Sequence, residues 1–236
     1  MTTWAVILAG GAGRRLGSTV PKQLLPLDDR TVLEHSVSAF AQHPAIDRVV
    51  VVAPVDHLDA VAALVAGQAD LVAGGAERTD STRAGLDAIA TLGGSDDDLV
   101  LVHDAARPLV PARVVTDVVE ALGDHAAVAT VVETADTIVR VDPDVGDIVE
   151  VLPRHELRRH QTPQGFRLGV LAAAHRAARE QARTDGVVVV TDDCSLVQRH
   201  RPDLSVAVVA GDAANLKITD TTDLVVARAL LAAREG

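Results

Sequence analysis

Short runs of Val, Leu, Ile and Ala alternate along the chain with longer stretches in which apolar residues recur every three or four positions. The runs predict strands, and the stretches predict amphipathic helices. Near-continuous apolar strands that alternate with helices are typical of a parallel sheet covered on both faces. We therefore predict an α/β fold, with a mainly parallel twisted sheet and helices on both faces. The predicted strands cover residues 4–9, 48–53, 71–73, 99–103, 126–132 and 205–209. The predicted helices cover residues 31–41, 56–66, 81–91, 111–122, 168–182, 192–199 and 221–234.

This rhythm is interrupted at residues 133–161. Two runs of alternating apolar and polar residues, TIVRV and IVEV, flank the turn sequence DPDVG. Such a pattern predicts a β-hairpin. The hairpin is too polar for the interior of a sheet, so we expect it to project as an arm from a single domain that spans residues 1–236. Exposed hairpin edges pair readily with other chains, which favours a homodimer formed through the arm.

The composition limits the classes of function. About half of the 236 residues are apolar, but aromatic residues are nearly absent and the formal net charge is −11. Few aromatic rings and a negative charge argue against a nucleic-acid partner, so any phosphate site must be built locally. The single cysteine, Cys194, excludes an internal disulfide, and we expect it to be a small core residue. No run resembles a signal peptide or a membrane span, so we expect a cytoplasmic protein without a membrane partner.

A glycine-rich segment, LAGGAGRRLGSTVPKQ, follows the first predicted strand. Glycines at this position let backbone amides approach a phosphate closely. The spacing misses the dinucleotide-binding pattern by one residue, and no Gly-Lys-Ser/Thr follows as in a P-loop. Instead the segment carries three cations, Arg14, Arg15 and Lys22. Lys22 and Lys217 are the only two lysines of the chain among 22 basic residues. Ammonium and guanidinium groups are not interchangeable at a crowded phosphate site. The presence of lysine at these two positions, in a chain that otherwise uses arginine, is therefore informative about a phosphate site.

Further candidate chemistry lies at the ends of predicted strands. Asp104, in the segment VHDAARP, comes at the carboxyl end of a buried strand, where open α/β sheets place their ligands. Its carboxylate suits Mg²⁺, and the structural alternative is capping or pairing with Arg107. Asp192 and Asp193 suggest either a second metal pair or the charged start of a helix. The histidines show no metal-ligand spacing, and we expect His155, His160, His175 and His200 on the surface.

The segment GGAGRRLGSTVPKQ resembles the signature of sugar-phosphate nucleotidyltransferases. Six further segments occur in the order that is typical of the 2-C-methyl-D-erythritol 4-phosphate cytidylyltransferase family: GGAERTDSTRAGL, VHDAARP, ADTIVR, RHELRRHQTPQ, TDDCSLV and NLKIT. The resemblance covers nearly the whole chain. It implies a Rossmann-like nucleotidyltransferase fold, and transfer of CMP from CTP to 2-C-methyl-D-erythritol 4-phosphate with release of pyrophosphate. This step belongs to the non-mevalonate route to isoprenoid precursors and depends on Mg²⁺ or another divalent cation.

The resemblance also implies roles for individual residues. The catalytic residues would be Arg15, Lys22 and Lys217. Nucleotide binding would fall to Ala9, Gly10, Gly11, Gly13, Gly75, Ser81 and Asp104, of which Gly75 and Ser81 would contact the cytosine and Asp104 the metal. The acceptor would be bound by Arg107, Thr137, Arg154, Thr162 and Thr191, with Thr137 and Arg154 reaching the site of a partner subunit. Asn215 would be a weaker candidate for a further metal contact. Ala76 replaces an aspartate expected in some members, which leaves its effect on base selectivity open.

Three alternatives remain at this stage. A sister cytidylyltransferase acting on ribitol 5-phosphate has a similar first loop. An NAD-dependent oxidoreductase would need the glycine spacing that this chain lacks. A nucleotide-binding protein without catalytic activity is disfavoured because Lys22, Asp104 and Lys217 are all present.

Overall fold

The computed structural model describes residues 1–10, 21–184 and 190–235. Seven helices occur in these ranges: α1 Val32–Ala41, α2 Leu58–Val65, α3 Arg78–Thr91, α4 Ala112–Ala121, α5 Leu168–Thr184, α6 Asp193–His200 and α7 Thr221–Glu235. Eleven strands accompany them: β1 Thr3–Leu8, β2 Pro26–Leu27, β3 Arg30–Thr31, β4 Arg48–Ala53, β5 Asp70–Ala73, β6 Leu99–Asp104, β7 Ala127–Glu133, β8 Val139–Val141, β9 Ile148–Val151, β10 Arg158–Arg167 and β11 Ala207–Ala210.

A seven-stranded sheet in the order β11-β7-β10-β6-β1-β4-β5 forms the centre of the fold. The neighbouring pairs β1–β4, β1–β6, β4–β5 and β7–β11 are parallel. Only β10 runs against its two neighbours, β6 and β7. The mainly parallel α/β fold predicted from the sequence is therefore confirmed.

Helices cover both faces of this sheet and bury its apolar residues. One core contains side chains of α1, α2 and α4, including Phe40 and Val115. The other core contains side chains of α3, α5 and α6, including Leu171 and Cys194. The prediction that Cys194 is a core residue is confirmed, and burial raises the pKa of its thiol well above the ordinary value. A third, smaller cluster joins α7 to the segment around Leu109 and Ile218.

The strand β10 was not predicted, and the predicted arm was correspondingly too long. Residues 158–161 are not part of the arm, because Arg158 to Gln161 pair with β7 in the central sheet. The sequence RRHQTPQGFR gives little strand signal, since it is polar at its start and contains Pro163. The pairing with β7 shifts register between Gln161 and Gln164, and the peptide bond between Thr162 and Pro163 in this irregularity is cis. A register shift is where a strand tolerates proline.

The shortened arm is a separate two-stranded antiparallel pair, β8 with β9. Its apolar side chains remain exposed in the single chain, namely Val141, Val145, Ile148, Val149 and Val151. The hairpin itself was predicted correctly. None of the helices in the described ranges is both long and apolar enough to cross a membrane.

Candidate active site

A cleft of about 690 Å³ opens at the carboxyl ends of β1, β5 and β6. The strand β1 lies between β4 and β6, so the chain leaves β1 in one direction across the sheet and returns on its other side. In open α/β sheets, ligands bind in the crevice at such a switch point. Of the predicted site residues, Gly10, Lys22, Gly75, Ser81, Asp104 and Lys217 line this cleft.

Both lysines of the chain therefore reach one cleft from distant parts of the sequence. Lys22 begins a single 3-10 turn, Lys22–Leu24, and its Nζ donates a hydrogen bond to the carbonyl oxygen of Ile218, at 2.9 Å. Lys217, the residue before Ile218, donates from Nζ to Asp104 Oδ2 at 2.7 Å. The C-terminal segment thus joins the two ammonium groups to the end of β6.

Asp104 is the charged centre of the cleft floor. Burial would raise the pKa of its carboxyl, but the charges of Lys217 and Arg78 oppose this and hold the pKa well below its usual range. Arg78 Nε lies 3.6 Å from Oδ1, opposite the oxygen that Lys217 contacts. The alternative partner, Arg107, forms no ion pair with Asp104 and donates instead to the carbonyl oxygen of Asn215, at 2.7 Å. Asp104 is therefore ionised and held by cations on both sides.

Arg78 was missed by the sequence analysis, although it lines the cleft. It is the first residue of α3, where a cation opposes the helix dipole. The sequence did not reveal this mismatch, because the apolar pattern places the start of the helix at Ser81, three residues after Arg78. Its Nη1 donates to Asp193 Oδ2 at 2.7 Å, and Asp193 and Asp104 together raise the pKa of Arg78 despite its burial.

The paired aspartates at the start of α6 have structural roles. Asp192 is the N-cap of α6 and accepts a hydrogen bond from the backbone N–H of Ser195, at 2.8 Å, which confirms the helix-start interpretation. Asp193 is fully buried, and its carboxylate contacts Arg78 and His175 Nε2, the latter at 3.2 Å. The expectation that His175 lies on the surface is therefore wrong. The helical pattern of α5 did not reveal that His175 faces a buried carboxylate.

Ser81 and the glycines opposite it form another part of the cleft wall. The prediction that α3 begins at Ser81 is wrong, because the helix begins at Arg78, after the N-cap Glu77. The backbone N–H of Glu77 is bonded to Asp80 Oδ2, which starts the helix earlier than the apolar pattern suggests. Ser81 is consequently inside the first turns, with its hydroxyl facing Gly74. A Cβ at Gly74 would lie 2.9 Å from Ser81 Oγ, so only glycine lets the two segments approach this closely.

Several predicted residues lie behind the cleft, not along its lining. Ala9 is buried, and its carbonyl oxygen accepts a hydrogen bond from Gln23 Nε2 at 2.9 Å. Thr162 Oγ1 accepts one from the backbone N–H of Asp104 at 3.1 Å. On its other side it contacts His103, whose pKa burial lowers to about 4. These residues fix the end of β6.

Asn215 is also buried, and its Nδ2 donates to the carbonyl oxygen of Thr162 at 2.8 Å. The idea that it contacts a metal is not supported by this placement, because it does not line the cleft. Thr137 and Arg154 are exposed in the arm region, where Arg154 Nη1 donates to the carbonyl oxygen of Ala135 at 2.8 Å. Thr191 is exposed before α6. Within this chain, the structure does not bring the last three together with the lysines.

Gly11, Gly13 and Arg15 lie outside the described residues, as does Arg14. The described ends of their segment, Gly10 and Pro21, both line the cleft beside Lys22.

Comparison with known proteins matches residues 3–233 to the model of the family described as 2-C-methyl-D-erythritol 4-phosphate cytidylyltransferase. The chain belongs to this family. Among curated members of the cytidylyltransferase family, that of Thermobifida fusca is 45% identical over 96% of this chain and 92% of its own length. The Rhodococcus jostii member is 42% identical, over 96% and 94% of the two chains.

Solved structures of the cytidylyltransferase family agree with this fold. A crystal structure of 4-diphosphocytidyl-2C-methyl-D-erythritol synthase is similar at a TM-score of 0.79, with 30% identity, and covers 98% of this chain and 99% of its own. The Thermus thermophilus enzyme has a TM-score of 0.75 and 32% identity, and covers 98% of both chains.

Proposed function

We propose that the chain transfers CMP from CTP to 2-C-methyl-D-erythritol 4-phosphate, giving 4-diphosphocytidyl-2-C-methyl-D-erythritol and pyrophosphate. Family membership over residues 3–233 supports the reaction. The observation that carries the proposal is that Lys22, Lys217 and Asp104 line the same cleft. The chain has a net charge of −11 and no other lysine. A phosphate-handling site explains why these two positions keep an ammonium group.

In this reaction a phosphate oxygen of the acceptor attacks the α-phosphorus of CTP in line, and pyrophosphate leaves. The acceptor is already an anion, so the protein needs neither a nucleophile nor a strong base. Its task is to bring two anions together and to stabilise the charge that develops on the leaving group. We assign Lys22 and Arg15 to the triphosphate, and Lys217 to the α-phosphoryl group or the acceptor phosphate. We assign Gly75 and Ser81, which both line the cleft, to the base.

A divalent cation such as Mg²⁺ is part of the proposal. In the described ranges no group of three or more acidic, histidine or cysteine side chains could hold a metal ion. Mg²⁺ commonly takes one or two carboxylates and completes its shell with phosphate oxygens and water, so the single ionised Asp104 fits this mode. When bound, the ion would neutralise phosphate charge, and the side chains of Arg15, Lys22 and Lys217 would add positive charge from the protein.

A homodimer formed through the arm is also proposed. Five apolar side chains on the arm are exposed in the single chain, which is unusual for a hairpin that stays in water. Pairing of two arms would cover them. It would also explain why Thr137 and Arg154 lie away from the cleft of their own chain, since they would serve the acceptor site of the partner subunit. Because the substrates are highly charged metabolites, we expect the reaction in the cytoplasm.

A panel of acceptors tests the proposed reaction. The purified chain is incubated with CTP, Mg²⁺ and either 2-C-methyl-D-erythritol 4-phosphate or ribitol 5-phosphate, and pyrophosphate release is measured. We expect release with the first acceptor and little with the second. Preference for ribitol 5-phosphate would replace the proposed acceptor, and absence of release with both would contradict the proposed function.

A further inference from the structure

Arg78 occupies an unusual position between two carboxylates of different environments. Its Nη1 is bonded to Asp193, which is fully buried and also contacts His175. Its Nε lies 3.6 Å from Asp104 Oδ1, which is an ion pair longer than a hydrogen bond. Asp193 therefore fixes the guanidinium from behind, and the Nε edge faces the cleft carboxylate.

The third nitrogen of this guanidinium has no hydrogen-bond partner among the described residues. Arg78 Nη2 is buried, so water does not replace the missing acceptor. Leaving a buried donor unsatisfied is costly and, in a native protein, calls for a functional explanation. Nε and Nη2 together form the edge with which arginine grips a carboxylate in bidentate fashion. In this structure Arg78 does not make that bidentate contact with Asp104.

Lys217 accounts for the incomplete grip. Its Nζ donates a hydrogen bond to Asp104 Oδ2 at 2.7 Å, and Oδ2 is the carboxylate oxygen that Arg78 does not face. If Lys217 is to contact a substrate phosphate, as in the proposed function on which this inference rests, it must leave Asp104. A buried carboxylate that loses its partner is strongly destabilised, so a second cation has to compensate its charge.

We infer that Arg78 is a positioning residue that holds Asp104 through Oδ1, so that Lys217 can pass from Oδ2 to the substrate phosphate. The exchange leaves Oδ2 available to the nucleotide side of the cleft. The buried Asp193 keeps Arg78 in place throughout, which explains why a fully buried carboxylate lies directly behind the site.

A double-mutant cycle tests this exchange. In the Arg78→Met variant we expect kcat to fall roughly tenfold to a hundredfold, the effect of losing a hydrogen bond to a charged group. In an Asp104→Asn background there is no carboxylate charge for Arg78 to hold, so Arg78→Met should change kcat by less than about twofold. Equal losses in both backgrounds would show independent roles and overturn the inference.

Two further variants guard against loss of the fold. Arg78→Met leaves Asp193 buried without its cation, so the cycle is repeated with Asp193→Asn present throughout, which removes that charge. Arg83→Met is the matched control, because Arg83 lies on the same helix, pairs with Asp80 and does not line the cleft. We expect it to keep normal kcat and melting temperature. A loss in Arg83→Met equal to that in Arg78→Met would mean that the effect is structural.

Calorimetric titration with CTP alone separates this inference from the proposed function. Failure of the unmodified chain to release pyrophosphate would contradict the proposed function. The double-mutant cycle would then compare the Kd for CTP of the variants instead of their kcat. The exchange is supported if Arg78→Met weakens CTP binding in the unmodified chain. It is also required that Arg78→Met leaves CTP binding unchanged when Asp104→Asn is already present. Unchanged CTP affinity together with unchanged kcat would refute it.

Discussion

Replacing Lys22 by alanine isolates the contribution of one ammonium group to turnover. Lys22 lines the cleft at the end of the glycine-rich segment, and its Nζ is held by the carbonyl oxygen of Ile218 at 2.9 Å. That contact fixes where the charge points before any ligand binds. If the charge is aimed at the triphosphate, its removal affects the transition state more than the fold.

The two effects can be separated by magnitude. Removal of one preorganised donor to developing charge typically lowers kcat by roughly 10²–10³, which corresponds to about 2.7–4 kcal/mol. For the fold, loss of a hydrogen bond from a charged donor costs about 1.5–3 kcal/mol at most. Because Lys22 is only half-buried, solvent replaces part of that bond and the loss of stability should lie below this range. We therefore expect Lys22→Ala to be folded and nearly inactive.

Pyrophosphate release at saturating CTP and acceptor measures kcat, and thermal unfolding measures the stability of the same preparation. Lys22→Arg is the matched variant, since it keeps the charge but replaces a point charge by a planar fork. We expect it to recover only part of the lost activity. A kcat for Lys22→Ala within about threefold of the unmodified chain would refute the assigned role, since one aimed donor contributes far more.

Three further predictions concern packing, assembly and pH. A Cβ at Gly85 would lie 2.6 Å from Val6 Cγ1. Gly85→Ala should therefore lower the free energy of unfolding, measured by urea denaturation, by about 1–3 kcal/mol. An unchanged denaturation midpoint would show that β1 and α3 can move apart. Val149 in the arm is 61% exposed, so Val149→Glu should shift the mass measured by light scattering from dimer to monomer, and an unaltered dimer would place the interface elsewhere. His160 Nδ1 lies 2.7 Å from Asp192 Oδ2, and this hydrogen bond raises the pKa of His160. The stability from this pair is thus complete below the ordinary histidine pKa of about 6.5 and is lost as the pH rises through the raised value. His160→Gln should accordingly lower the melting temperature more at about pH 5.5 than at about pH 9, and an equal change at both would argue against the charged pair.

The sheet could be predicted from the sequence because its inner strands are nearly pure runs of branched apolar residues. Strand β4, with the sequence RVVVVA, was predicted with its observed bounds. Strand β10 was not predicted, because neither its amino-acid composition nor the spacing of its apolar residues indicates a strand. Its residues form a strand by pairing with β6 and β7, which come from other parts of the chain. Tertiary pairing of this kind outweighs local propensity.

The candidate site divides in the same way. Asp104 and Lys217 could be located from their segments, because the strand end and the scarcity of lysine mark them. The network of Arg78, Asp193 and His175 could not, since it joins α3, α6 and α5, which are distant in sequence. Only the packing of these helices on one face of the sheet reveals that the site has a buried charged support.

The confinement of both lysines to one cleft has a practical chemical consequence. Apart from the N-terminal amine, Lys22 and Lys217 are the only primary amines of the chain, and the Lys217 side chain is 41% exposed. An acylating reagent that attacks amines at random in most proteins would here label the active site selectively. Bound nucleotide would shield the same two positions, so simple mass spectrometry of labelled chain would report occupancy of the cleft without a radioactive or fluorescent substrate.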